Sequence, residues 1–157
     1  MRSRLTASKR SAIAALAVAI LVPTSAGSAV TADEAKHFAE RAASHVKDVG
    51  KDKAFADFSR ADGGYVDGEL YIFCQAEDGT VVAHGGNPAI VGKNMLAVKD
   101  PDGKAPNAEM NRIGLTQGAG WYDFRWPNPA TKQIQQKSAY VIKIDQHTIC
   151  GSGYYKQ

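Results

Sequence analysis

Apolar residues recur at helical spacing along the first predicted element of the chain. Thr31 and Glu34 have the spacing of a capping box. The apolar positions behind them are three or four residues apart, and they are Ala35, Phe38, Ala39, Ala42, Val46 and Val49. Because Gly50 is a typical helix stop, this period predicts a long amphipathic helix over residues 31–49. A second, shorter helix is predicted over residues 51–59.

The hydrophobic period changes after a turn-rich segment at residues 60–68. Aromatic, branched or alternating composition predicts strands at residues 69–76, 80–84, 121–126, 137–144 and 147–155. Between the second and third strands lie an irregular segment at 85–103, with short helical turns at 88–91 and 95–98, and a short helix at 107–116. This order predicts an α+β domain, in which the long N-terminal helix packs on a five-stranded antiparallel sheet.

Ahead of the first helix, residues 12–22 form an uninterrupted apolar run of 11 residues behind a basic N-terminus. A membrane-spanning helix needs about 20 apolar residues, so the run predicts a cleaved secretion signal. Small residues offer two cleavage sites, after Ala29 and after Ala32. We therefore expect a signal peptide at residues 1–29 and a single domain at residues 30–157. The location is periplasmic or secreted, with no membrane span after processing.

The charge of the chain changes once this leader is set aside. The full sequence has 19 basic and 16 acidic residues, a net charge of +3, and four of the basic residues lie in the first ten positions. Without them, 15 basic residues face 16 acidic ones. No basic excess remains to attract nucleic acid or an anionic lipid surface, so neither is an expected partner.

Two cysteines, Cys74 and Cys150, lie in the predicted mature domain. In an oxidising compartment an even number of cysteines favours a disulfide. Two buried free thiols are the alternative, because spacing along the chain does not show proximity in space.

Sequence features of catalysis are weak. There is no Gly-x-Ser-x-Gly elbow, and residues 151–153, Gly-Ser-Gly, are typical of close packing rather than of a nucleophile. His37 and His45 share one side of the long helix but lie two turns apart, so they are expected to be solvated rather than to bind one metal ion. We therefore expect no enzyme activity, no metal and no cofactor.

A cationic and aromatic set on the later strands suits a small organic anion. Along a strand, Trp121, Asp123 and Arg125 share one face and Tyr122, Phe124 and Trp126 share the other. The following strand carries Lys137 as a point charge and Tyr140 as a hydroxyl donor. By periodicity alone, the better explanation is that the aromatic residues are core and the cations are solvated, because half-exposed antiparallel strands commonly show this pattern.

Taken in order, these motifs resemble the single Cache domain, type 2, a PAS-like fold of extracytoplasmic sensors. The similar segments are residues 50–58, 67–73, 78–84, 87–88, 91–94, 99–104, 120–129, 137–141 and 149–155. Each motif is modest, but their number and order cover nearly all of the predicted domain.

The resemblance implies a ligand site between the sheet and the long connecting segment. Its expected residues are Lys137, Arg125, Trp126, Tyr122, Tyr140 and His84. Lys137 matches the family's Lys-x-x-Tyr pattern, whereas Arg125 and Trp126 enter one pocket only if their strand twists or bulges. In the PAS-like strand order the strands of Cys74 and Cys150 are neighbours, which implies a disulfide between them.

Many members of this family continue into a membrane helix and an output module, and this sequence stops soon after Tyr155. We therefore expect a free-standing exported domain that binds a short carboxylate such as acetate, propionate, lactate or pyruvate. The alternative is an interaction module that docks onto a membrane receptor or transporter and has no ligand of its own.

Overall fold

The computed structural model describes residues 29–156, which begin with two consecutive helices. Helix α1 spans Ala32–Val49, and the predicted capping box is present, with the Thr31 hydroxyl accepting from the Glu34 amide at 3.2 Å. Helix α2 spans Lys51–Phe58. Gly50 separates them with φ of 83°, a value that favours glycine. The predictions of both helices are confirmed.

Seven strands and a third helix follow. They are β1 (Val66–Asp67), β2 (Leu70–Tyr71), β3 (Phe73–Ala76), β4 (Val81–His84), α3 (Pro106–Gln117), β5 (Ala119–Pro127), β6 (Ile134–Lys143) and β7 (Thr148–Tyr155), with a 3₁₀ turn at Pro88–Ile90 after β4. The main sheet has the order β4-β3-β7-β6-β5, and all of its neighbours are antiparallel. This confirms the predicted α+β class.

The predicted strand at residues 69–76 is divided in the structure. Its first part, β2, pairs with β1 in a separate two-stranded ribbon. The Ile72 amide then donates to the Tyr65 carbonyl, while the Ile72 carbonyl accepts from the Gly85 amide. The chain changes pairing partner at this residue, which a continuous hydrophobic pattern does not reveal.

The two faces of the main sheet have different coverings. Helix α1 packs on one face, where Ala35, Ala39 and Ala42 are fully buried and allow a close approach. Helix α3 covers part of the other face and contacts β5, β6 and β7. Each face has its own apolar cluster, one containing Phe58 and the other Phe124.

Cys74 and Cys150 face each other directly across the β3–β7 ladder and form a disulfide, with Cα atoms 4.0 Å apart. The predicted pairing is confirmed. The predicted signal peptide lies outside the described residues except for Ala29, so the domain boundary stays a prediction. Within residues 29–156, no helix has both the length and the apolar character needed to cross a membrane.

Candidate functional site

A cavity, here called the inner chamber, lies on the α3 side of the sheet. The centre of a water molecule can occupy about 20 Å³ of it. That is room for about one or two waters. The lining residues are Tyr71, Phe73, Cys74, Gln75, Val81, His84, Ile90, Asn107, Met110, Phe124, Trp126 and Lys137.

Two glycines of β7 leave room for the side chains that line this chamber. A Cβ atom on Gly151 would lie 2.7 Å from the Phe73 ring, and one on Gly153 would lie 2.8 Å from Cε of Lys137. Both contacts are closer than packed carbon atoms tolerate. The Gly-Ser-Gly segment therefore serves close packing, as its composition predicts.

Lys137 is the charged group of the chamber. Its side chain projects from β6 and is only 1% exposed. The ammonium lies 3.9 Å from the centre of the Tyr71 ring and 4.8 Å from that of Tyr155. Among residues 29–156, no carboxylate oxygen lies within 4.0 Å of it. Ring faces attract a cation, but they do not replace a counter-ion.

The pKa of Lys137 responds to this environment. Burial disfavours the charged form and lowers the pKa to about 7, while the negative charge of Glu69 acts in the opposite direction. A buried cation without a partner is costly. The chamber therefore favours an anion that would supply the missing charge.

His84, at the end of β4, contributes a neutral donor. It is 6% exposed, and burial together with the charge of Lys137 lowers its pKa to about 3. Its Nδ1 accepts from the Asn87 amide at 2.9 Å, so the ring proton is on Nε2. Within the described part of the chain, Nε2 has no hydrogen-bond partner, which leaves one N–H for a ligand.

Two tyrosines, Tyr71 and Tyr155, lie beside the ammonium of Lys137. The hydroxyl of Tyr155 donates to the Pro127 carbonyl at 2.7 Å and lies 3.3 Å from the hydroxyl of Tyr71. Burial raises the pKa of Tyr71 to about 12, and it also raises the pKa of Tyr155. Both side chains are therefore neutral in the physiological range and add no charge beside Lys137.

An amide network closes the end of the chamber nearest α3. Gln75 donates to the Asn107 carbonyl and to Oδ1 of Asn111, both at 2.7 Å. Asn111 in turn donates to the carbonyls of Ala76 and Glu77. In contrast, Nδ2 of Asn107 is buried without a hydrogen-bond partner among residues 29–156. One polar group at the chamber wall is thus unsatisfied.

A wider outer groove, in which the centre of a water molecule can occupy about 780 Å³, adjoins the chamber and shares Tyr71, His84, Ile90 and Trp126 with it. Part of its wall is the connecting segment between β4 and α3. Asp100 fixes that segment to the sheet, because its carboxylate accepts from the amides of Asp102, Lys104 and Arg125 at 2.9–3.0 Å. The groove is the side from which a ligand would reach the chamber.

The structure brings three of the six predicted ligand residues, Lys137, His84 and Trp126, to the chamber. Arg125 instead lines the outer groove, with its guanidinium 3.7 Å from Asp102. Strand β5 pairs with β6 in continuous register, without the bulge that would turn Arg125 inwards. Tyr122 is on the chamber side of the sheet but packs against Phe124 rather than lining the cavity.

Tyr140 lies on the opposite face of the sheet. Its ring is 5.2 Å from that of Trp121, and the ammonium of Lys36 on α1 lies 5.8 Å from its centre. Residues three apart in a strand point to opposite faces, so the Lys-x-x-Tyr pattern does not place both side chains in one site.

Sequence reasoning missed Tyr71, Phe73, Gln75 and Asn107. The first three alternate along β2 and β3 and share the chamber side, so strand alternation combined with the implied site position could have found them. For Asn107, which lies in the first turn of α3, the sequence holds no comparable signal.

The expectation that both helix histidines are solvated is wrong for His45. His37 is exposed, but His45 is partly buried, with Nε2 2.9 Å from the carboxylate of Asp57 and its ring 5.1 Å from that of Tyr65. The partners come from α2 and the turn beyond it, which the period of α1 cannot indicate. Within residues 29–156, no cluster of three His, Cys, Asp or Glu side chains could hold a metal ion.

The sequence matches the family described as Single Cache domain 2 over residues 8–155. Two curated proteins are similar at 33% identity. One is the sensor histidine kinase MctS of Rhizobium johnstonii, over 86 residues, which are 54% of this chain and 18% of that protein. The other is the methyl-accepting chemotaxis protein McpP of Pseudomonas putida, over 76 residues, which are 48% of this chain and 14% of that protein. The match thus spans less than a fifth of either relative.

Solved structures share the fold. A methyl-accepting chemotaxis protein from Vibrio parahaemolyticus superposes with a TM-score of 0.69 at 20% identity, over 78% of this chain and 86% of that one. A structure described as the basis for carboxylic acid recognition by a Cache chemosensory domain superposes with a TM-score of 0.68 at 23% identity, over 80% and 92%.

Proposed function

The chain belongs to the single Cache domain 2 family, and on that premise we propose that it is an extracytoplasmic sensor domain that binds a short carboxylate in the inner chamber. The observation that carries the proposal is the ammonium of Lys137, which is buried beside a cavity with no carboxylate partner among residues 29–156.

The chemistry of the chamber supports a small monoanion. Lys137 would pair with the carboxylate, and Nε2–H of His84 would donate to it. Phe73, Phe124 and Trp126 would enclose a short apolar chain. The ligand-free chamber has room for about one or two waters. Among carboxylates it therefore favours the smallest, those of two or three carbons such as acetate, propionate, lactate or pyruvate, and their binding requires the chamber wall to widen. The solved Cache chemosensory domain described for carboxylic acid recognition is consistent with this class of ligand.

The test is calorimetric titration of residues 30–157 with these four acids. If Lys137 pairs with the carboxylate, Lys137→Ala should weaken binding by about 2–4 kcal/mol, or about 30- to 1000-fold. Lys36→Ala is the matched control, because Lys36 also contacts an aromatic ring but lies on the other face of the sheet. Its affinity should equal that of the wild type.

Failure of all four acids to bind would contradict the proposal. If that failure is accompanied by co-purification with a membrane receptor or transporter, the docking module is the better explanation. Binding that survives Lys137→Ala unchanged would place the anion elsewhere, with the outer groove beside Arg125 the next site to examine.

A further inference from the structure

We propose that the inner chamber takes up one proton together with each carboxylate, so that the site binds the components of an undissociated short-chain acid. This inference rests on the proposed function, because it requires a carboxylate at Lys137. It adds a second species, the proton, to what the site responds to.

The geometry around Lys137 supports this directly. The side chain is enclosed by the rings of Tyr71 and Tyr155, and Gly153 is the residue whose missing side chain gives it room. Water has little access to the chamber, and in the described residues no carboxylate balances the ammonium. In such a place a neutral amine costs less free energy than a bare cation.

Few groups on the elements packed around Lys137 could balance or share its charge. The turn between β1 and β2 carries Glu69, whose carboxylate accepts from Nδ2 of Asn128 at 2.9 Å and lies beyond ion-pair distance of Lys137. From β2 and β7 come the hydroxyls of Tyr71 and Tyr155, and β4 contributes His84.

The remaining neighbours are uncharged. Strands β3 and β5 present phenylalanines, and α3 and the connecting segment present Asn107, Met110 and Ile90. The pKa of Lys137, lowered to about 7 by burial, is the one that lies near neutrality, since that of His84 is about 3 and that of Tyr71 about 12. Lys137 is therefore the group in the chamber that changes charge between pH 6 and 9.

The proton balance follows. Above pH 7 the free protein carries Lys137 as an amine, and the ligand arrives as a carboxylate. The pair that forms is an ammonium and a carboxylate, because an opposite charge at contact raises the pKa of the amine. The extra proton comes from the buffer and returns to it when the ligand leaves. No covalent bond forms or breaks.

Affinity should then depend on pH in a defined way. Below about pH 7, Lys137 is already protonated and affinity for the carboxylate is level, as long as the ligand itself stays ionised. Above that value, affinity should fall about tenfold per pH unit, which amounts to about 100-fold between pH 6 and pH 9. The protein would thus respond most strongly where carboxylate and acidity coincide.

The experiment is calorimetry with propionate in two buffers that differ in ionisation enthalpy at each pH, HEPES and Tris at pH 8 and MES and Bis-Tris at pH 6. The dependence of the observed enthalpy on the buffer gives the number of protons bound. We expect about one proton per propionate at pH 8 and about 0.1 at pH 6. Propionate that binds at pH 8 with no proton uptake would overturn this inference and leave the proposed function standing. No binding of any short acid would instead overturn the proposed function.

Two variants locate the proton. Lys137→Arg keeps a permanent cation, so binding should lose both the proton uptake and the decline above pH 7. His84→Asn removes the imidazole Nε2–H donor. Proton uptake should persist in this variant even if its affinity for propionate falls. Uptake that persists in Lys137→Arg, or disappears in His84→Asn, would assign the proton to another group and contradict the proposal. If Lys137→Arg does not fold, the wild-type uptake and the His84→Asn result decide the question.

Discussion

At the scale of single residues, the two asparagines of α3 differ in what holds them. Asn111 bridges Gln75 to the carbonyls of Ala76 and Glu77, whereas Nδ2 of Asn107 is buried without a partner in the described part of the chain. The backbone carbonyl of Asn107, not its side chain, accepts from Gln75. The two residues are one helical turn apart, so they form a matched pair for mutation.

We predict opposite effects for the two leucine variants. Asn111→Leu leaves one N–H of the buried Gln75 amide without an acceptor and takes a donor from the Glu77 carbonyl, so it should lower the free energy of unfolding by about 1–3 kcal/mol. Asn107→Leu removes an unsatisfied group and should be neutral or stabilising by up to about 1 kcal/mol. Urea unfolding of both variants measures this. A loss of more than 1 kcal/mol in Asn107→Leu would show that its side-chain amide is satisfied, for example by a buried water.

The residues of the site were predictable to the extent that strand alternation is reliable. Charge among aromatic residues is visible in sequence and indicates Lys137 and Trp126, which line the chamber. Arg125 and Tyr140 were included on chemical type, although alternation separates Arg125 from Trp126 and Tyr140 from Lys137. The sequence could not indicate the side-chain amide of Asn107. What distinguishes this group is that it is buried without a hydrogen-bond partner in the described residues, and that depends on the tertiary structure.

At the scale of elements, β3 and β7 are joined both by ladder hydrogen bonds and by the Cys74–Cys150 disulfide. The cross-link closes a loop with a sequence separation of 76 residues. Constraint of the unfolded chain by a loop of this size is worth about 4–5 kcal/mol in the chain-entropy account.

We therefore predict that the double variant Cys74→Ala/Cys150→Ala loses about 4–5 kcal/mol of unfolding free energy. Urea denaturation of the variant and of the wild type, both without reductant, gives the difference. Thiol labelling of the unfolded, unreduced wild type is the control, and it should find no free thiol. Two labelled thiols per chain would mean that the pair is not formed in the mature protein.

Elements with local signals were predictable, and junctions were not. The capping box and Gly50 mark the two ends of α1 in the sequence. The change of partner at Ile72 depends on the Tyr65 carbonyl and the Gly85 amide, two groups that are distant in the chain from each other. The hydrophobic pattern indicates which residues are buried, but it does not indicate which backbone groups form hydrogen bonds with them.

At the scale of the whole molecule, burial of Lys137 should make stability depend on pH. The unfolded chain binds this proton up to the ordinary pKa of 10.5, whereas the folded, ligand-free protein releases it near 7. Between these values the unfolded state holds more protons, so the free energy of unfolding rises with pH by at most about 1.4 kcal/mol per unit.

We predict that Lys137→Met removes this rise. The variant should be more stable than the ligand-free wild type at pH 7, and the difference should shrink towards pH 10, because releasing the lysine proton on folding costs less as the pH approaches the ordinary pKa of 10.5. Urea unfolding at pH 7, 8 and 9 measures the trend, with Lys36→Met as the control on the opposite face. Parallel pH dependence in wild type and Lys137→Met would show that the amine is solvated or paired in the folded state.

The alternation of residues along strand β7 also limits the insertions and deletions that this protein can tolerate. Its residues alternate between Cys150 and Ser152 on the α1 side and Gly151 and Gly153 on the chamber side. Loss or gain of one residue ahead of Cys150 would exchange the two sets, breaking the cross-link and filling the cavity in a single event. Insertions and deletions would therefore be purged from this strand, while the loops tolerate them.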